Sequence, residues 1–428
     1  MISDNITIIF ALLICIFSKL VNGVSITDIE NVLETFFSLA NYNREIRGKL
    51  DQSQTLDVNL SFALKNIKKL DEIEETIEVF ATLFLAWKDE RLIWNPNAYN
   101  GTDRVYITAD KIWRPEITLE NPSTSHNFYG DITRILSFHK SNGVASLILG
   151  DIFKCGCSID LTSFPWDKQK CALVFLVWGY SAKEVELVAA KDTIDLQGYQ
   201  SNGVWTLLST KVYSKRHPQK SLLVFEVILQ RRPVFFVVNI LIPIMTLSVL
   251  ELFVFIIPID SGERISFSLT VLLSIAVYMT LISDNLPPRA ETMAAICYLL
   301  VFILIQSAFI CLLNIVSVAL YLQDIEKHQI STFWHIFVHI FGRANSCRRP
   351  RKIDKKPNIS DENDDAGDEG SFQNIQTSEM REESAISWKE VSKTFDRVVT
   401  IFMGLLLCFG FGMYAYHVIT GVNDIESE

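Results

Sequence analysis

Between Gly262 and Asp284 the chain reads GERISFSLTVLLSIAVYMTLISD, and the residues in it that could meet an ion recur at steps of three and four. Glu263, Ser266, Thr270, Leu273, Val277, Thr280 and Asp284 therefore share one face of an α-helix. At roughly 1.5 Å per residue that helix is about 30 Å long, the hydrocarbon thickness of a bilayer. It carries a carboxylate near each membrane surface. Hydroxyls and carboxylates are costly against lipid and normally face a bundle interior or water. Two readings follow: a pore-lining helix, or a buried helix whose hydroxyls bond to neighbours and whose acids mark the interfaces.

The rest of the chain supplies a membrane for this helix. Of 428 residues 49% are hydrophobic, and the mean hydropathy is +0.24, too apolar for an ordinary soluble enzyme. Val234 to Ile257, roughly Ile296 to Tyr321 and roughly Val398 to Ile419 are each near the ~20 residues a spanning helix needs. Four spans result. Glu251 interrupts the first and is expected to face protein. Residues 1–23, with an apolar run from Ile8 to Phe17 and small residues near Gly23, read as a cleaved signal peptide, although Asp4 stands where a base is usual. The segment between the third and fourth spans holds Arg348, Arg349, Arg351, Lys352, Lys355 and Lys356. The positive-inside rule puts that segment in the cytoplasm, and four spans then put both ends of the mature chain outside.

The expected domains are thus the signal at 1–23, an extracellular domain at 24–232, three spans within 233–321, a cytoplasmic segment at 322–397, and a fourth span with a short outer tail at 398–428. In the outer segment Thr27 and Glu30 suggest a capping box for an amphipathic helix with Ile26, Ile29, Val32, Leu33, Phe36 and Phe37 on one side. KEVELVA and SLLVFEVILQ alternate with period two, and several such strands over about 200 residues predict a β-sandwich. Asn59 and Asn100 are glycosylation acceptors. Cys155, Cys157 and Cys171 lie outside, where oxidation is expected, and an odd count leaves one unpaired. In the cytoplasmic segment Ser331 to Phe341 suits a helix at the inner membrane surface. Asp361 to Ser371 is acidic and reads as disordered.

Cys157 and Cys171 enclose CSIDLTSFPWDKQKC, with a Phe-Pro-aromatic-Asp centre. This resembles the signature of the Cys-loop receptors, the pentameric ligand-gated ion channels. The similarity extends through WRPE (Trp113 to Glu116), RRP (Arg231 to Pro233), PIDSGERIS and DNLPP, over almost the whole mature chain. It implies a Cys157–Cys171 disulfide, an extracellular β-sandwich, a four-helix transmembrane bundle, and five subunits around a pore lined by the second span. The branch it resembles is that of the acetylcholine- and serotonin-gated channels.

In such a pentamer, rings of Glu263 at the inner mouth and Asp284 at the outer one would concentrate cations and exclude anions. Ser266, Thr270 and Thr280 would offer oxygens, and Leu273 and Val277 apolar rings that close the pore by dewetting. The resemblance places the coupling of ligand to pore at Asp71 and Glu72 in LDEIEE, at Phe164, Pro165, Trp166 and Asp167, at Arg231 and Arg232, and at Pro287 and Pro288. Any of the acids Asp71, Glu72, Glu74 and Glu75 could pair with either arginine, or simply form a solvated face.

Ligand binding is carried over residue by residue. Trp178 matches the aromatic-box tryptophan that holds amines by cation–π attraction, or else is a core tryptophan. Tyr213 matches the first aromatic of the capping loop. Glu120 stands where acetylcholine-gated members have tyrosine, and Thr82 where the facing subunit usually offers tryptophan. The loop YSKRHPQKSLL has no vicinal cysteines and brings Lys215, Arg216, His217 and Lys220 instead. The resemblance implies four further subunits, a small extracellular agonist, membrane lipids and permeant monovalent cations as partners, with calcium left open. A non-conducting auxiliary subunit is the alternative. No cofactor or nucleic acid is expected at a net charge of −10, and no enzyme motif is visible. His335 and His339 lack a third metal ligand.

Overall fold

From Leu56 to Asp71 (β1) and from Thr76 to Ile93 (β2) apolar side chains alternate with polar or exposed ones, so each strand has a face to bury. In the computed structural model, which describes residues 24–39, 41–123, 125, 129, 135–283, 293–323, 330–342 and 386–427, that face is the wall of a sandwich. The remaining strands are Arg104–Thr108 (β3), Ile117–Leu119 (β4), Leu136–Lys140 (β5), Asn142–Gly156 (β6), Lys168–Val177 (β7), Val185–Ala189 (β8), Trp205–Arg216 (β9) and Ser221–Arg231 (β10). They form a six-stranded sheet ordered β3-β5-β6-β2-β1-β8 and a four-stranded sheet ordered β4-β7-β10-β9. The β-sandwich expectation holds.

Aromatic side chains from both sheets meet in the core. Phe62 (β1) stacks on Phe225 (β10) at 5.1 Å, and Phe153 (β6) meets Phe175 (β7) edge-on at 5.4 Å. In KEVELVA, Val185 and Leu187 are buried, as their alternation predicts. β10 departs from its pattern. Leu223, Phe225, Val227 and Leu229 point inward as expected, yet Leu222, Val224 and Glu226 on the opposite face are buried too. The β5–β6 hairpin turns at Gly143, whose φ of +86° disfavours any other residue; a Cβ there would lie 2.7 Å from the Asp89 carbonyl. The first helix, Ile26–Glu34 (α1), is capped two residues earlier than expected: Ser25 and Asp28, not Thr27 and Glu30, close the capping box. Val32 and Phe36 are buried, but Ile26 is exposed, because it stands at the first turn where the buried stripe has not begun.

Contacts divide the chain into two units, the second running from Val234 and including residues 162–164. Its four helices long and apolar enough to cross a membrane are Val234–Ile256 (α2), Arg264–Ser283 (α3), Ala295–Tyr321 (α4) and Trp388–Gly421, the last within a continuous helix Trp388–Ser427 (α6). The fourth span's helix thus begins at Trp388, ten residues before the expected start of the span at Val398. A shorter helix, Thr332–Phe341 (α5), packs Trp334 against Trp388 and Phe395 of α6. α2 opens into a π-turn at Val237–Leu241 just before Pro243. Proline has no N–H to give the carbonyl four residues back, and that carbonyl, of Asn239, accepts the Tyr278 hydroxyl of α3 instead. α4 and α6 touch at Gly410, where a Cβ would stand 2.3 Å from the Phe302 ring. Glu251 is buried and accepts from Ser307 Oγ, so it faces protein as its charge requires. The signal segment, the basic cluster at 348–356 and the acidic stretch at 361–371 lie outside the described residues.

Candidate functional site

The stripe expected to face an ion lies on α3. Within the chain Glu263, Ser266, Thr270, Leu273, Val277 and Thr280 are all exposed, Leu273 by 64% and Val277 by 52%. The opposite face, with Arg264, Ser268, Val271, Ile275 and Ile282, is buried. Glu263 sits one residue before the helix rather than inside it, just after Gly262 at a φ of +72°, and its carbonyl accepts the Phe267 N–H. Thr270 Oγ1 donates to the Ser266 carbonyl at 2.8 Å and Thr280 Oγ1 to that of Val277 at 2.7 Å, which satisfies both hydroxyl protons without another helix. Asp284, Pro287 and Pro288 lie outside the described residues.

Arg264 fixes the buried side. Its guanidinium grips Asp396 of α6 through two bonds of 2.9 and 2.8 Å, lies 5.0 Å from the Phe255 ring and is 1% exposed. Asp396 also accepts from Ser317 of α4. Sequence reading passed over this pair because 132 residues separate its members.

On the sandwich, the residues expected at the ligand site share the four-stranded sheet, except Thr82, which lies on β2 of the other sheet. Trp178 follows β7, donates its N–H to the Glu116 carbonyl at 2.8 Å and is 42% exposed, so it is not a core tryptophan. It lines a cavity of about 380 Å³ with Trp113, Tyr180, Arg44, Arg114 and Glu116. Arg114 is only weakly partnered by Glu116 at 3.7 Å, and burial pulls its guanidinium below the usual range. Tyr213 is 43% exposed, and its hydroxyl donates to Glu226 Oε2 at 3.2 Å. Burial first, then the Glu226 charge, raises the Tyr213 phenol above its ordinary value. Glu120 pairs with a base: Lys220 Nζ lies 3.0 Å from each of its oxygens.

The residues expected to couple ligand to pore are brought together in part. Arg231 is buried, with its Nε 2.7 Å and its Nη2 3.1 Å from the two Asp167 oxygens, while its Nη1 donates to Glu72 at 2.7 Å. The Trp205 ring lies 4.3 Å from the guanidinium. Burial works against its charge, but Asp167 and Glu72 outweigh burial and hold the guanidinium above its usual range. Asp71 does not join them. It pairs with Lys69 and caps the turn by accepting the Ile73 and Glu74 N–H groups, which keeps its carboxyl below the ordinary value. Arg232 binds Thr206 Oγ1 at 3.1 Å instead of an acid. Pro165 is buried and Trp166 half-buried. Phe164 belongs by its contacts to the second unit, 5.0 Å from Phe236, and its carbonyl accepts from Tyr414.

Cys157 and Cys171 form the disulfide and Cys155 is the odd thiol. Burial pushes the Cys155 thiol up to about 12, so it stays protonated at neutral pH. Iodoacetamide at pH 8 is expected to leave Cys155 unmodified in the folded protein and to alkylate it after denaturation, read by peptide mass. Asn59 on β1 and Asn100 in a left-handed turn are both exposed. His335 and His339 are exposed, and no group of three metal-ligating side chains occurs among the described residues.

A β-sandwich carrying a fifteen-residue disulfide loop (Cys157–Cys171), joined to four apolar helices, defines a membrane receptor of the channel type. The profile of the neurotransmitter-gated ion-channel ligand binding domain matches residues 30–233, and that of the neurotransmitter-gated ion-channel transmembrane region matches residues 240–385. The chain belongs to the neurotransmitter-gated ion-channel family, whose members are receptors and channels rather than enzymes. Among curated proteins it is 30% identical to neuronal acetylcholine receptor subunit alpha-6 of Mus musculus over 350 residues, 79% of this chain and 69% of that one. It is 28% identical to acetylcholine receptor subunit delta of Xenopus laevis over 352 residues, 77% of this chain and 67% of that one, and 28% identical to subunit beta of the same organism over 325 residues, 73% and 66%. It thus spans about two thirds of the length of these relatives.

Proposed function

We propose that the chain is one subunit of a pentameric, ligand-gated, cation-selective channel of the plasma membrane, with its sandwich outside the cell. The observation that carries this reading is the stripe on α3. A helix that buries Arg264 and Ile275 yet leaves Glu263, Thr270, Leu273 and Val277 uncovered by its own chain has a face prepared for a symmetric partner or for water. Four further subunits, the same or related, would complete the pore, with Glu263 and Asp284 as its charged mouths. A small agonist would bind against Trp178, Tyr213 and Glu120, with Thr82 contributed by the neighbouring subunit. The buried Arg231 cluster, with the tip residues Phe164 to Asp167 and the prolines 287 and 288, would pass binding on to the pore. Asn59 and Asn100 would carry glycans, and residues 1–23 would be removed on secretion.

Ion-substitution recording tests this. Glu263→Lys is expected to move the reversal potential from the cation towards the chloride value; unchanged selectivity would remove Glu263 from the pore. The departures at Glu120 and Thr82 favour a second reading, a subunit that works only beside others. The chain expressed alone should then reach the surface silent and change the current of a conducting partner.

A further inference from the structure

Lys220 and Glu120 lie against each other at the place proposed for the agonist. Register fixes their surroundings. Glu120 bonds to Val174, which pairs with Val224, which pairs with Tyr213, so these four stand in one row across the four-stranded sheet. Their side chains point away from the core, because Leu119, Phe175 and Leu223, one position along, point into it. Trp178 follows the end of β7 and Lys220 precedes the start of β10, each in step with the outward-facing residues of its strand. On that same outer face Leu176, Leu222 and Val224 are buried. The ion pair therefore shares its sheet face with an apolar floor and a half-exposed tyrosine, with a half-exposed tryptophan just past the end of β7.

We propose that this site takes a zwitterion, an amino acid whose ammonium and carboxylate replace the two halves of the Glu120–Lys220 pair. The proposal rests on the agonist-site reading above and names the ligand class for it. Charge decides the matter. A simple amine would neutralise Glu120 but leave Lys220 without its acid and repelled by the newcomer, and a simple carboxylate would strand Glu120 in the same way. A molecule bearing both charges leaves neither unpaired. The internal pair is easily exchanged, since its side chains are 42% and 33% exposed and exposed pairs are weak. The ligand would replace it with two charge-assisted bonds and set its ammonium near the Trp178 face. Lys215, paired with Leu222 on the same hairpin, favours its carboxylate end there.

Purified full-length protein in detergent, its thermal midpoint followed during titration with β-alanine, propylamine and propionate, separates the cases. β-Alanine is expected to raise the midpoint saturably, and the two singly charged analogues are expected to leave it unmoved. Glu120→Gln and Lys220→Gln should each weaken β-alanine binding about tenfold or more, and the exchanged pair E120K/K220E should recover it. Saturable stabilisation by propylamine that vanishes in E120Q overturns the zwitterion and leaves the agonist site standing; stabilisation by propionate lost in K220Q does the same. If none of the three moves the midpoint, the zwitterion falls, and if Trp178→Ala also leaves gating unchanged, the agonist-site reading falls with it.

Discussion

Replacing Arg231 by glutamine is expected to destabilise the protein by about 3–5 kcal/mol, because it leaves a buried carboxylate without its counter-charge. Asp167 is 1% exposed and takes two of the guanidinium's bonds, with Gln169 as its other side-chain donor at 2.6 Å. Glu72, at 28% exposure, can turn to water, so Glu72→Gln should cost only about 0–1 kcal/mol. Arg231→Lys should fall between the two, since an ammonium keeps the charge but not the fork that meets both Asp167 oxygens. The measurements are the thermal midpoint of the purified protein and the fraction delivered to the cell surface. Equal midpoints for Arg231→Gln and Glu72→Gln would contradict the burial argument. The same contrast says what Asp167 does in the Phe-Pro-aromatic-Asp centre: it fixes the end of β10, where the chain leaves the sandwich for α2.

How much of this was legible follows from the range of the forces involved. The stripe from Glu263 to Thr280, the spans and the alternation of β8 depend on spacing along one element, and spacing is written in the sequence. The Ser25–Asp28 cap was misplaced by two residues because Ser25, Thr27, Asp28 and Glu30 offer competing boxes of nearly equal quality. Glu226 looked like an outward strand residue and is buried, because the β9–β10 hairpin and Lys170 cover its face. For Arg231 the sequence offers four acids within five residues with nothing local to rank them, and it is the turn that takes Asp71 out, by spending its carboxylate on the Ile73 and Glu74 N–H groups. Lys220 reads in the sequence only as a charge, and it is the packing of the four-stranded sheet that brings it to Glu120, 100 residues away. Pairs this distant are decided by tertiary packing, which local pattern does not encode.

The pair between Arg264 and Asp396 carries the other large expected effect, and it bears on selectivity as well as stability. Both groups sit among apolar helices, Arg264 with 1% and Asp396 with 12% of its side chain exposed. Either Arg264→Met or Asp396→Leu alone should cost roughly 3–5 kcal/mol, whereas the double variant Arg264→Met/Asp396→Leu should recover most of that loss, since an apolar pair needs no solvation to give up. Thermal midpoints of the four proteins close the cycle, and additive losses would contradict direct coupling. Glu263 is joined directly to Arg264, the first residue of α3, and its carbonyl accepts the Phe267 N–H of that helix's first turn. Anchoring the arginine to α6 therefore sets the rotation at which the glutamate faces away from the bundle. In the proposed channel the double variant, stable but unanchored, should show a smaller preference for cations over chloride than the wild type while its Glu263 is intact. If it keeps full selectivity, the helix is held in rotation by packing alone, with Val271, Ile275 and Ile282 as its buried side.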